Sequence, residues 1–517
     1  MSTFWLSLGA LGVFAGYGAQ MLRWLRVLQR EHYEPAAALR FWLRWTRPRP
    51  REGRRASSIA LVLWVAFPLS LLVALVTHRV AVFVVSSVLY GVFCPWGLSL
   101  KGRTGALRWT RRVRTLSVVA VMISLIVALV GLLWHQGLST GALALWIVPL
   151  TLALAAWLVS PWESRLAGRF VNQASARLTR VRPTVVAITG SYGKTSTKNH
   201  LADILGGDGG VVATPKSYNN RAGLSRAVNE NLADGTRVFV AEMGTYGPGE
   251  IRDLCRWCTP DVAVITAIGP VHLERMKSLD VIEEAKFEIT ERARTVVVNI
   301  DDPRLGRWPA RLGARVRVRT AGSSSPAADV RVAPLEGRWH VWLDGEDVAQ
   351  MDPIPGVQPT NVACAVAAAL EVGAVPTELT RRLARIQAVA NRATVTTASS
   401  GVVVVDDTFN ANPASAAASL ELLSALAVPG RRVIVTPGLI ELGGEQSARN
   451  EELARDASRR GVELVVVGRT NLAALSRGYG ARVRQFRVRD DAVAWVRGTL
   501  GAGDAVLYLN DLPDQYP

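Results

Sequence analysis

Thr189-Gly190-Ser191-Tyr192-Gly193-Lys194-Thr195-Ser196 is the stretch of this 517-residue chain best equipped for chemistry. The β-branched run Val185-Val186-Ala187-Ile188 leads in, and a helical pattern from Thr197 to Leu205 leads out. A strand, a tight glycine turn and a helix N-terminus aim several backbone N–H groups at one point, which suits an anion. Lys194 adds a mobile cation for outer phosphates, and the hydroxyl of Thr195 or Ser196 can ligate Mg²⁺. A plain glycine turn is the simpler reading, but this order of residues between a strand and a helix is rarely only a turn. The loop therefore reads as a nucleotide site for ATP. A second candidate, Glu242, closes the buried run Val238-Phe239-Val240-Ala241. An acid at a strand end beside a phosphate loop is placed to hold Mg²⁺.

The elements that must position these groups follow from the texture after Pro183. Val262-Ala263-Val264-Ile265 and Thr295-Val296-Val297-Val298 are further short apolar runs, each followed by turn or helix signals. Such runs, alternating with helical patterns, predict buried parallel strands in an α/β domain. Residues 315–350 alternate more and predict a small antiparallel insert, and Asn361 to Val372 predicts an alanine-rich helix. Near Asn391-Arg392 a second α/β unit begins, with strands at Val402–Val405, Arg432–Val435, Leu464–Val467 and Ala505–Leu509. Expected boundaries are 183–388 for the ATP-binding domain and 389–517 for a Rossmann-like C-terminal domain, after a linker at 161–182.

The charge balance separates the first third from the rest. Net charge is +18, yet residues 1–182 hold 22 of the 60 Lys/Arg and only Glu31, Glu34, Glu52 and Glu163 as acids. The remainder is balanced, which argues against a nucleic-acid surface. Five apolar stretches (3–22, 59–76, 80–100, 116–134 and 141–159) approach or exceed the length that spans a bilayer. The expected fold class is thus a five-span α-helical membrane domain followed by two α/β domains. Arg23 to Arg55 and Lys101 to Arg114 fall in alternate loops, so the positive-inside rule puts the N-terminus outside and the catalytic domains in the cytoplasm of a bacterial plasma membrane. Cys94, Cys255, Cys258 and Cys364 form no disulfide framework, and core positions in a reducing compartment are expected for them.

Several short motifs in order give a resemblance. They are Thr189–Ser196, Thr214-Pro215-Lys216-Ser217-Tyr218-Asn219-Asn220, Glu242-Met243-Gly244, Ile268-Gly269-Pro270-Val271-His272-Leu273-Glu274-Arg275 and Ala285-Lys286. Asn299-Ile300-Asp301-Asp302-Pro303, Asp406-Asp407-Thr408-Phe409-Asn410-Ala411-Asn412-Pro413 and Glu441-Leu442-Gly443 continue it. From about Thr184 onward the chain resembles the Mur ligase family of ATP-dependent amide-forming enzymes, in the branch that joins D-alanyl-D-alanine. The resemblance implies that Lys194 holds the outer phosphates and that Thr195, Glu242 and His272 ligate Mg²⁺. Lys286 matches a lysine that such ligases carry as a carbamate. Asn299 would face adenine, Arg392 the γ-phosphate and Asp407 the ribose, with Asn410 in the stretch that closes on ATP. Asn219 and Asn220 would meet the substrate.

The implied partners are a cell-wall precursor peptide and an amino acid or dipeptide amine donor. The family normally starts with a soluble α/β domain that binds the UDP of a nucleotide-linked sugar. Apolar stretches stand there instead, which favours a membrane lipid partner and a lipid-linked acceptor. Two other functions compete. A poly-γ-glutamate-type polymer synthase also couples a ligase domain to an anchor. An ATP-driven transporter is disfavoured, because the five stretches contain no Asp, Glu, Lys or Arg for a charged solute.

Overall fold

The computed structural model describes residues 3–46, 106–133, 137–206, 209–215, 218–387, 393–408, 411–480 and 483–511, together with 69, 85, 89–91 and 98. Two compact units divide the chain, one of residues 1–165 with 512–517 and one of residues 166–511.

Among its described residues the first unit is helical: Thr3–Arg30, Pro35–Thr46, Arg111–Leu133, Gly137–Trp146 and the start of Val148–Val181. The five-span membrane domain expected from sequence is not found among the described residues. Among the described residues only Arg111–Leu133 is both long and apolar enough to cross a membrane. The first expected span is part of a helix that runs on through Arg30, and Arg23 and Arg26, expected in a loop, are buried on it. Arg23 donates to the Gly91 carbonyl at 2.8 Å, and Tyr17, within the apolar stretch, donates to Ser124 at 2.8 Å. The fifth span breaks at Ile147, and the helix that follows turns polar and carries Pro161. Most of the expected spans 59–76 and 80–100 lies outside the described residues.

The second unit holds two sheets. The first contains β1 (Thr184–Thr189), β2 (Val211–Ala213), β3 (Val238–Glu242), β4 (Val262–Ile265), β5 (Thr295–Asn299), β6 (Arg317–Gly322), β7 (Val330–Leu335), β8 (Arg338–Leu343) and β9 (Glu346–Met351). Its order is β2-β3-β1-β4-β5-β6-β7-β8-β9, parallel through β7 and antiparallel from β7 to β9. Successive residues of β1 bury on opposite faces. Val186 and Ile188 join Val240 and Val264, whereas Val185 and Ala187 join Phe239 and Ala263. Helices cover both faces, so these strands read as unbroken apolar runs. The expected antiparallel insert at 315–350 is not separate: β6 extends the parallel sheet and β7–β9 continue it. Polar residues alternate in this part because the sheet is only half covered there.

Helix Pro359–Glu371 packs against helix Lys194–Leu205, and every residue from Val362 to Ala369 is buried. The second sheet contains β10 (Thr394–Thr397), β11 (Val403–Asp407), β12 (Arg432–Thr436), β13 (Glu463–Val467), β14 (Arg484–Phe486) and β15 (Ala505–Leu509). Its order is β10-β11-β15-β12-β13-β14, and all but the β10–β11 pair are parallel. Cys255, Cys258 and Cys364 are free and buried, as core cysteines, with burial pushing their thiols up, to about 12 for Cys255 and Cys364.

Candidate active site

In an open parallel sheet, ligands bind beyond the carboxyl ends of the strands where the strand order reverses. Here β1 sits between β3 and β4. The loop after β1, Glu242 ending β3, Thr266 after β4 and Asn299 ending β5 all lie at that edge.

The phosphate loop owes its shape to two glycines. A Cβ on Gly190, at φ 152°, would come within 2.0 Å of the Thr266 hydroxyl, and one on Gly193, at φ 78°, within 2.3 Å of Asn361 Oδ1. Around them the loop is tied down. Ser191 N–H donates to the Ala267 carbonyl at 2.7 Å, and its hydroxyl lies 3.0 Å from the Gly269 carbonyl. The Thr266 hydroxyl donates to the Tyr192 carbonyl. The Tyr192 ring packs where a side chain on Gly269 would otherwise stand, and burial pushes its phenol up. Lys194 and Thr195 open the helix Lys194–Leu205, with Ser196 in its first turn. Lys194 Nζ folds back onto the Gly190 carbonyl at 2.6 Å. Thr189 ends β1 fully buried, and its hydroxyl oxygen has no partner.

Glu242 is the centre of the polar contacts and is 1% exposed. Thr195 Oγ1 donates to its Oε2 at 3.0 Å, and Asn219 Nδ2 donates to its Oε1 at 3.0 Å. Lys198 Nζ stands 3.5 Å from Oε2 and donates to the Thr214 carbonyl at 2.8 Å. A buried carboxylate needs such compensation. Asn220 turns the chain into helix Arg221–Asn231, capping it by accepting from Gly223 N at 2.9 Å.

Lys286 is buried in helix Leu279–Phe287. Burial, and then the nearby charge of Lys194, hold its amine well below the usual lysine range. His272, in the left-handed region at φ 54°, lies between the Tyr246 ring, centroids 4.7 Å apart, and Glu441, whose Oε2 is 2.5 Å from its Nδ1. The Asn299 side chain donates to the Thr266 carbonyl at 2.7 Å and accepts from Asp301 N at 3.1 Å, so it braces the turn after β5. Asp407 ends β11, buried, and accepts from the Ser419 hydroxyl at 2.8 Å. Arg392 and Asn410 lie outside the described residues.

The structure thus joins Glu242 to Thr195 and Asn219, sets Lys194 near Lys286, and pairs His272 with Glu441. No three His, Cys, Asp or Glu side chains cluster among the described residues. A hydroxyl beside one carboxylate fits Mg²⁺, which takes few protein oxygens and completes its shell with water and phosphate oxygens. Sequence reasoning gave no role to Lys198, which looked like any helix lysine, or to Glu441, whose partner is 169 residues away. Only the Glu441-Leu442-Gly443 motif pointed toward the latter.

Residues 188–370 match the model of the Mur ligase middle domain, and residues 391–509 match that of the Mur ligase glutamate ligase domain. The UDP-N-acetylmuramoyl-tripeptide–D-alanyl-D-alanine ligase of Mycobacterium tuberculosis is 33% identical over 374 residues, covering 66% of this chain and 72% of its own. The enzyme of that name from Bacillus subtilis is 28% identical over 344 residues, covering 65% and 74%. Among solved structures, MurF ligase from Thermotoga maritima in complex with ADP superposes with a TM-score of 0.59 at 25% identity, covering 67% of this chain and 80% of that one. MurF from Acinetobacter baumannii shares the fold with a TM-score of 0.59 at 23% identity, covering 66% and 77%.

Proposed function

The chain belongs to the Mur ligase family and is an ATP-dependent ligase, and from that premise we propose that it adds D-alanyl-D-alanine, or a similar amine donor, to a muramoyl peptide of a peptidoglycan precursor. One observation carries the reading: Thr195 and Glu242 share a hydrogen bond of 3.0 Å at the mouth of a phosphate loop whose lysine, Lys194, opens the same helix as Thr195.

In the proposed reaction a carboxylate oxygen of the acceptor attacks the γ-phosphorus of ATP, and ADP leaves. The amine donor then attacks the acyl carbon, phosphate departs, and the nitrogen loses a proton. Both first reactants are anions, so charge must be neutralised before they meet. Lys194 is placed for the outer phosphates, and Thr195 and Glu242 would hold Mg²⁺, with His272 as a further ligand. Mg²⁺, when bound, supplies the charge that balances the phosphates. A depressed lysine amine is a nucleophile toward CO₂, so Lys286 is suited to carry a carbamate there. The backbone N–H groups of residues 190–194 cradle the phosphates, and Asn219 and Asn220 flank the acceptor.

The finer reading is a lipid-linked acceptor at the plasma membrane, with the catalytic domains on the cytosolic side where ATP is found. Two features support it. Among the described residues no strand precedes Thr184, so helices stand where relatives of this family carry an α/β domain. Helix Arg111–Leu133 turns Met122, Ile126, Leu129 and Leu133 outward, each more than half exposed, an apolar face of the kind that meets lipid. Incubating the full chain with ATP, Mg²⁺, D-alanyl-D-alanine and either UDP-linked or lipid-linked muramoyl tripeptide tests both levels. Phosphate release with a product heavier by the dipeptide is the expected result. Release with neither acceptor overturns the ligase assignment, and a preference for the UDP-linked acceptor overturns the lipid-linked one.

A further inference from the structure

We infer that Glu441, carried by the C-terminal sheet domain, is a positioning residue for His272, so that this metal ligand is set only when the two α/β domains meet. The inference rests on the reading of His272 as a Mg²⁺ ligand.

Two bonds join the residues. His272 Nδ1 lies 2.5 Å from Glu441 Oε2, and Leu273 N–H donates to the Glu441 carbonyl at 3.0 Å. With Nδ1 donating to the carboxylate, Nε2 keeps its lone pair free for a cation. A carboxylate behind the ring fixes the tautomer and makes the imidazole a stronger ligand. The Tyr246 ring also packs on the imidazole, centroids 4.7 Å apart and tilted by 59°, and Arg275 covers Tyr246 at 4.9 Å from its centroid.

Stability alone does not explain the pair. The two side chains are 24% and 34% exposed, and a partly exposed polar pair contributes little. Yet both residues occupy the left-handed backbone region, His272 at φ 54° and Glu441 at φ 63°. Such a non-glycine residue is strained and persists where its surroundings over-determine it. The surroundings of Glu441 do so. Leu439 and Leu442 anchor its loop as buried side chains. Asn450 Oδ1 accepts from Leu439 N at 2.8 Å, while Asn471 Nδ2 donates to the Leu439 carbonyl at 3.0 Å. The C-terminal domain thus presents one carboxylate, rigidly, to one imidazole of its neighbour.

The test uses the full chain and its Glu441→Gln and Glu441→Ala variants. With ¹⁵N-labelled histidine, only six residues contribute to the spectrum. Wild type without metal is expected to show His272 protonated on Nδ1, and both variants to lose that preference. Mg²⁺ binding by calorimetry is expected to weaken 10–100-fold, the usual effect of removing such a partner. The kcat of the variants should recover at high Mg²⁺, and Glu441→Asp should fall between wild type and Glu441→Ala. Unchanged tautomer and Mg²⁺ affinity in variants that melt like wild type overturn the inference while the ligase reading stands. A wild type without Mg²⁺-dependent ADP formation overturns both.

Discussion

The two α/β domains use the same architectural position for different chemistry. In the phosphate-loop domain a strand end carries buried charge: Glu242, which closes β3, with Lys198 against it. In the C-terminal domain the corresponding edge keeps one buried carboxylate, Asp407 at the end of β11, and beyond β12 is furnished with neutral amides and a hydroxyl. Asn450, Asn471, Asn510 and Thr436 are buried there, and each bonds to the backbone of Pro437, Gly438 or Leu439. A carboxylate at a strand end can hold the cation that neutralises phosphates, but must itself be compensated. Amides are cheaper to bury once hydrogen-bonded, and they hold a loop still. One domain is built to receive a reactant, the other to deliver a fixed group to it.

Removing charge from the first domain should have the largest effect. Lys194→Ala is expected to lower kcat by about 10³-fold or more, the scale of electrostatic stabilisation in phosphoryl transfer, measured as ADP formed under saturating ATP. Lys286→Ala should be equally damaging, and a short carboxylic acid in solution should restore part of the rate by standing in for the carbamate. Full activity of Lys286→Ala without additive would refute that role.

Lys198→Met sharpens the comparison from the stability side. It leaves buried Glu242 without a countercharge, held only by Thr195 and Asn219, so unfolding should cost about 3 kcal/mol less. Adding Glu242→Gln should recover much of that loss, although the enzyme stays inactive. A double variant no more stable than the single one breaks the argument that the pair is a compensated charge. In the C-terminal domain, Asn450→Ala removes amide bonds to Leu439 and Gln446, and about 1–3 kcal/mol of stability with them. Its Mg²⁺ affinity should fall too, since the loop bearing Glu441 loosens.

The effect most easily confined to one pH range concerns His200. Burial without a hydrogen-bond partner lowers its value to about 4. Between that value and the unfolded value near 6.5, the unfolded chain binds a proton that the native state refuses. Stability therefore rises with pH across this window, at up to about 1.4 kcal/mol per unit, and the slope vanishes below it. Denaturant titrations at pH 4.5, 5.5 and 6.5 should show the trend in wild type and a flatter one in His200→Leu.

Much of the second unit was legible because its strands are buried on both faces. Val262–Ile265 and Ala505–Leu509 can be read as strands from composition alone, and the phosphate loop declares itself by residue order. Residues 317–351 were harder, since alternation tells that a strand is half covered but not which sheet it joins. The first unit misled for a related reason. An apolar run reports that a helix is hydrophobic, whereas its ends depend on partners such as Gly91 for Arg23 and Ser124 for Tyr17. Glu441 lay in a recognised motif, but its function depends on a loop held by asparagines up to 69 residues further on. No local pattern carries that information.

Helix Pro359–Glu371 sets a limit on how this enzyme can vary. With Val362 through Ala369 all buried, it has no solvent face along that length, so no position there is neutral to size. Enlarging Ala365 or Ala368 by even a methylene group pushes on a close-packed neighbour rather than into water. Its neighbours are strands β4 to β7 and the helix that begins at Lys194. A substitution well away from the nucleotide would then register as a misplaced phosphate ligand, and the alanines of this helix are a part of the active site's tolerance that no inventory of contacting residues would include.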